Sequence, residues 1–127
     1  MGRRFWLGAA LLAVFLIFGF CISAKMTALH AEAAGELEQA ADLALSGEFD
    51  IACEKAFRAY GLWLDCRSFT ASVADHSPMD DVEQLFAEME TYAKTEEKPH
   101  FIACCRQLGV MLRSMYDAHR PTWWNFL

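Results

Sequence analysis

Phe5 to Ile22 is a run of 18 residues without a charge, and Ser23 and Ala24 extend it to 20. About 20 apolar residues suffice to cross the hydrocarbon core of a bilayer as a helix. Arg3 and Arg4 precede the run, and Lys25 alone follows closely. The positive-inside bias then places the N-terminus in the cytoplasm and residues 25–127 outside. The sequence is thus expected to form a single-pass protein of a bacterial-type cell membrane, with Phe5–Ala24 as its contact with lipid. A cleaved signal peptide is the alternative. Ala24 suits the last position before a cut, but Ile22 fits the small-x-small pattern poorly, and the apolar core exceeds the usual length of about 7–15 residues. Cleavage would release a secreted soluble helical protein. Cys21 is preceded by the bulky Phe20, where lipoprotein processing needs a small residue, so it reads as an ordinary apolar residue of the membrane segment.

Beyond the run, about 100 residues remain, enough for one modest core. Pro numbers 3 and Gly 7 in the whole chain. Val and Ile are scarce after Lys25, whereas Ala, Leu, Glu and Met are common, which is helix-forming composition. Of the 11 Lys and Arg, Arg3 and Arg4 lie before the apolar run, which leaves nine against 17 Asp and Glu, a net charge of −8. Such a surface repels phosphate backbones, so nucleic acid is not an expected partner.

No turn signal separates the apolar run from the residues after it. Met26, Leu29, Ala33, Leu37, Ala40 and Ala44 keep three-and-four spacing, so one helix is expected to continue out of the membrane. Glu32, Glu36, Glu38 and Asp42 lie on its other face and read as solvated. Ser46-Gly47 ends it, with Gly able to take a left-handed cap. A second helix begins near Glu48 or Phe49, carries the stripe Phe49, Cys53, Ala56, Tyr60, Trp63 and Leu64, and runs to about Ala74. Ser77-Pro78 opens a third, with Ser as cap and Asp80, Asp81 and Glu83 favouring its dipole. Val82, Leu85, Phe86 and Met89 face inward. Glu96 to Pro99 breaks the chain, and a fourth helix runs from about Pro99 to Ala118 with Ile102, Cys105, Leu108, Leu112 and Met115 as its stripe. Arg120-Pro121 ends it.

One apolar face per helix and short connections argue for an antiparallel bundle. The expected fold is therefore all-α: a transmembrane helix (1–24) continuing into a small antiparallel bundle of three to four helices (25–119), then an aromatic tail (120–127). Lys25–Leu45 and Pro99–His119 each have 21 residues, about 32 Å of helix. Out, back, out and back returns the C-terminus to membrane level. There Trp123, Trp124, Phe126 and Leu127 suit the headgroup zone, where aromatic rings concentrate. Alternatively, Trp123 and Trp124 cap the bundle core.

From the second helix onward the sequence resembles a known family. Gly47-Glu48-Phe49-Asp50-Ile51-Ala52 forms a turn followed by an aromatic and an Ala. Trp63 is followed thirteen residues later by His76, and His76 by Asp80. The chain closes Thr122-x-x-Asn125-Phe126-Leu127. These residues, with the length and the N-terminal run, resemble domain-of-unknown-function family 4363, short single-anchor helical proteins of Gram-positive bacteria. Phe49 stands where that family usually has Trp, and Cys104-Cys105 is foreign to its pattern. The resemblance implies the topology and structural roles for Trp63, His76, Asp80 and Asn125. It implies no activity. Gly47-x-Phe49-x-x-Ala52-x-x-x-Ala56 also resembles the hairpin of tetratricopeptide repeats, but one unit is too few to bury a repeat core.

Candidate chemistry is sparse. Cys53 and Cys66 lie 13 residues apart on one helix, roughly 20 Å, too far to pair with each other. A bridge from Cys53 or Cys66 to Cys105 is geometrically open, as is a role for all four cysteines as small core residues. His100 and Cys104 share a helix face beside Cys105, but zinc wants four ligands and no Cys-x-x-Cys supplies them. His76 and Asp80 span a helix start and suit a turn-closing hydrogen bond better than catalysis. No catalytic set, cofactor, metal site or small-molecule substrate is expected. The expected function is a membrane-anchored, non-enzymatic envelope protein, an accessory or interaction module that binds another membrane or envelope protein. The alternative is an extracytoplasmic thiol-redox or metal-handling protein using Cys104 and Cys105.

Overall fold

The computed structural model describes the backbone of residues 2–71 and 76–119, and the side chains of residues 2–67 and 79–115. It is all-helical there: α1 spans Arg3–Leu45, α2 Phe49–Ala71, α3 His76–Lys94 and α4 Lys98–His119. α1 is one uninterrupted helix of 43 residues, as the lack of any Pro or turn signal before Ser46 demands. Its two ends have opposite surroundings. Residues 2–21 are exposed throughout, whereas His30, Ala33, Ala34, Leu37, Ala40, Ala41 and Ala44 are buried.

The stop after Leu45 is chemical. Gly47 takes φ +89°, a left-handed conformation that costs a residue with a Cβ about 1–2 kcal/mol. That turn lets the Gly47 N–H donate to Ala44 O at 3.2 Å and the Glu48 N–H donate to Leu43 O at 2.9 Å. Two orphan carbonyls are thereby satisfied in a Schellman cap. α3 ends the same way, but with Glu96 at φ 57° in the left-handed position and the Glu97 N–H donating to Tyr92 O at 3.0 Å. The two caps predict opposite responses. Gly47→Ala loses about 1 kcal/mol and Glu96→Gly gains about as much. Urea midpoints of the two variants check both signs.

α1 packs against α2 on one side and α4 on the other; α3 packs on α4 and touches α2 more lightly. Small residues permit the close approach of α1 and α2: Ala33, Ala40, Ala44, Ala52, Ala56 and Ala59 are all buried. On the other side, a Cβ added at Gly109 of α4 would meet Glu38 Cγ at 3.6 Å and Ala34 O at 3.8 Å. Those are ordinary contact distances, so the site has room for one methyl. Gly109→Ala is expected to stabilise the bundle by about 0.8–1 kcal/mol through helix propensity, read as a higher melting temperature with unchanged helicity.

Larger side chains fill the ends of the packed region. Phe49 and Phe101 meet edge-to-face at 5.1 Å, joining the starts of α2 and α4. Trp63, 1 % exposed, lies 5.6 Å from Phe86 of α3, and Tyr60 lies 5.0 Å from the same ring. Arg67 sits over Trp63 at 5.8 Å and pairs with Glu83 at 2.8 Å. Leu37, Val82, Met89, Leu108 and Leu112 complete the core.

Several expectations are corrected. Leu64, placed on the α2 stripe, is 40 % exposed, and Ala52, Ala59 and Cys66 are buried instead. The buried face of α2 is turned toward α1, and Leu64 falls off its edge. Phe101 and Cys104 join the α4 face that Cys105, Leu108 and Leu112 were expected to form. α3 begins at His76, one residue before Ser77. Ser77 and Pro78 thus lie in the first turn, and Asp80 and Asp81 lie beyond it, where the dipole effect has faded. The acidic face of α1 is not simply solvated, because Glu36, Glu38 and Asp42 meet cations of α2 and α4.

Candidate functional site

The most exposed apolar surface belongs to α1. Phe5, Trp6, Leu7, Leu11, Leu12, Val14, Phe15, Leu16, Ile17, Phe18 and Phe20 are 58–71 % exposed. Soluble monomers rarely expose apolar patches beyond a few hundred Å². Among the described residues, α1 is the one helix long and apolar enough to cross a membrane, by length and composition. A membrane anchor and a signal sequence both meet that description.

Above this segment α1 is held on both flanks by charge. Glu36, largely shielded, faces Lys55 Nζ at 3.5 Å and Arg58 Nη1 at 4.0 Å, both on α2. On the α4 side, Arg113 Nε and Nη2 donate to Glu38 Oε1 and Oε2 at 2.6 and 2.8 Å, and Arg106 Nη2 donates to Asp42 Oδ1 at 3.4 Å. The two-pronged Arg113–Glu38 geometry is the strong form of such a pair. Hydrogen bonding to the Arg113 guanidinium holds the Glu38 carboxyl below its ordinary value of 4.5, against a smaller opposing effect of burial. A depressed carboxylate contributes stability above its unfolded pKa and loses it as pH falls through the folded value. The wild-type protein should therefore lose more stability than Glu38→Gln between pH 7 and pH 3. Both partners are about half exposed, so the difference should be a few tenths to about 1 kcal/mol. Urea titrations of both proteins at the two pH values measure it.

The thiols are set for packing. Cys105 is fully buried, Cys104 nearly so, and Cys53 half-buried; all three are free thiols, so neither bridge to Cys105 is formed. Cys66 is buried and its thiol donates to Leu62 O at 3.4 Å. Burial pushes Cys66 up to about 11, with Asp65 adding to it, and pushes Cys105 up to about 12, with Cys104 and Cys53 adding to it. Burial also raises Cys53 and Cys104. The thiolate is the reactive form, so raised values and low exposure suppress reactivity. His100 is exposed and lies edge-on to Tyr92 at 5.0 Å. Among the described residues, no three His, Cys, Asp or Glu converge on a point.

Of the residues given structural roles, Trp63 is central to the α2–α3 contact and Asp80 is exposed. The side chain of His76 lies outside the described residues, as do Trp123, Trp124, Asn125, Phe126 and Leu127. Sequence reasoning missed His30, buried to 1 % on α1. Its spacing of three, four and seven from Ala33, Ala34 and Leu37 would have placed it on that face.

Compared with known proteins, the chain matches no family model, no curated protein and no solved structure. The resemblance to domain-of-unknown-function family 4363 thus rests on its motif residues alone.

Proposed function

We propose that this chain is a single-pass, non-enzymatic envelope protein, with its N-terminus in the cytoplasm and a small antiparallel bundle on the outer side that serves as an accessory or interaction module for another membrane or envelope protein. The observation that carries the reading is the contrast along α1. Its first twenty or so residues present an apolar surface that no other described residue covers, and its last fifteen are packed into the bundle. Lipid is the medium that relieves the first half without disturbing the second. The antiparallel arrangement is supported by the order of the charge pairs, because Glu38 to Asp42 ascends α1 while their partners Arg113 and Arg106 descend α4. The exterior placement rests on Arg3 and Arg4. The resemblance to domain-of-unknown-function family 4363 is of the same kind: a short anchored helical protein without an assigned reaction. Buried thiols with raised pKa values weigh against the redox reading.

The test is the intact mass of the protein in a carbonate-washed membrane fraction, with and without thiol alkylation under native conditions. Full-length mass in the membrane, with the buried thiols unmodified, is the expected result. A mass lacking residues 1–24 in the soluble fraction would replace the anchor with a signal peptide. Rapid native alkylation of Cys104 or Cys105 would revive the thiol chemistry.

A further inference from the structure

The level at which α1 leaves its apolar run carries a cleft of about 320 Å³. Ile22, Lys25, Met26 and Leu29 of α1 form one wall and Asp65 of α2 the other. The α1 residues are spaced three and four apart, so they share a face of the helix. From Ile22 to Leu29 that face rises about 10 Å. Ile22, Met26 and Leu29 are half-buried, whereas Lys25 and Asp65 are exposed. α2 thus reaches down to the last turn of the apolar run, and the cleft joins an apolar strip to one cation and one anion.

Those two charges do not neutralise each other. Among the described residues, neither Lys25 nor Asp65 takes part in an ion pair. A molecule that carries an anion, a cation and an apolar chain matches this wall group by group. We propose that the cleft binds an amine-bearing phospholipid of the surrounding leaflet, Lys25 holding the phosphate, Asp65 the ammonium, Ile22 the start of an acyl chain, and Met26 and Leu29 backing the headgroup. This inference rests on the membrane-anchor reading, since only in an inserted protein does the cleft open at the polar–apolar boundary. An ethanolamine ammonium donates hydrogen bonds to a carboxylate, and a trimethylated choline headgroup cannot. Both headgroups carry the positive charge, so the charge-assisted hydrogen bond to Asp65 is what separates them. The site should therefore prefer ethanolamine over choline headgroups.

The experiment uses the full-length protein in nanodiscs containing equal phosphatidylethanolamine and phosphatidylcholine, with native mass spectrometry of the lipids retained on release. The expected result is a preference for phosphatidylethanolamine of about fivefold, the equivalent of about 1 kcal/mol. Asp65→Asn should reduce the preference to near unity, and Lys25→Met should lower retention of both lipids. Both side chains are on the surface, so unchanged helicity by circular dichroism confirms that the variants fold. Equal retention of the two lipids by the wild-type protein, or a preference that survives Asp65→Asn, overturns the headgroup proposal and leaves the anchor standing. Failure to enter the nanodiscs overturns the anchor and the proposal together. In pure phosphatidylcholine discs, free phosphoethanolamine added to the buffer should not bind; binding there would make the ligand a soluble molecule and overturn the lipid source.

Discussion

Trp63→Ala should remove about 3–5 kcal/mol of stability, the cost of truncating a large buried aromatic. Trp63 is 1 % exposed and stands at the joint between α2 and α3. That joint is thin. Among the described residues, beyond the Trp63, Tyr60 and Phe86 rings it is held by Arg67, which lies over Trp63 and pairs with Glu83. Removing the indole leaves a cavity against Phe86 and removes the surface on which Arg67 rests. The net stability of a domain is about 5–15 kcal/mol, so the loss is a large share of the whole. It should also be uneven. α1 and α4 keep the Arg113–Glu38 fork and the Leu37, Leu108 and Leu112 packing. Amide exchange should therefore rise most in α3 and least in the second half of α1. Urea denaturation of the full-length protein in non-ionic detergent gives the magnitude, and residue-level exchange gives the distribution. Phe57→Ala is the control: the ring is 42 % exposed, and its loss should cost about 0.5 kcal/mol or less. Equal losses for the two variants would show that Trp63 does not hold the joint.

Leu12→Arg combined with Leu16→Arg should move the protein out of the membrane fraction. Both positions lie inside the apolar run and are 61 % and 66 % exposed. A charged residue at the centre of a membrane helix costs about 2.5–3.5 kcal/mol on insertion scales, so two cost about 5–7 kcal/mol. The two positions are four apart and place both charges on one face in the middle of the apolar run. Among the described residues, those of α2, α3 and α4 leave both side chains exposed, so the folded part should be unaffected. Flotation of membranes on a density gradient, with circular dichroism of the displaced protein, reads both consequences. A double variant that still floats with membranes would mean that Phe5–Ala24 is not the segment that holds the protein there.

The apolar run and the Trp63 joint depend on different information. The first is legible in the opening 25 residues alone. An uncharged run of that length behind two arginines constrains the chain more than any later feature, because partition into lipid depends on local composition. The helices are also legible, since three-and-four spacing is a property of each segment by itself. Gly47 reads as a left-handed cap from its place after the last periodic residue, and its φ of +89° agrees. Glu96 does not, because nothing in a glutamate announces positive φ. That conformation is imposed by the short passage from α3 to α4.

What only the tertiary structure decided is which face meets which. Glu36, Glu38 and Asp42 look like a solvated stripe on an isolated helix. They are paired because α1 lies between α2 and α4, whose Lys55, Arg58, Arg106 and Arg113 arrive from segments up to 75 residues away. His30 is buried and Leu64 exposed for the same reason: the width and direction of a buried face depend on how many neighbours a helix has. Cys66, Cys104 and Cys105 are buried, which no spacing rule contains. The cleft of Lys25 and Asp65 joins residues 40 positions apart, brought level by the length of α2. Local sequence determined the apolar run, the helices and their ends, because those follow from composition and short-range sterics. Partners across the bundle were set by packing, which depends on all four helices at once.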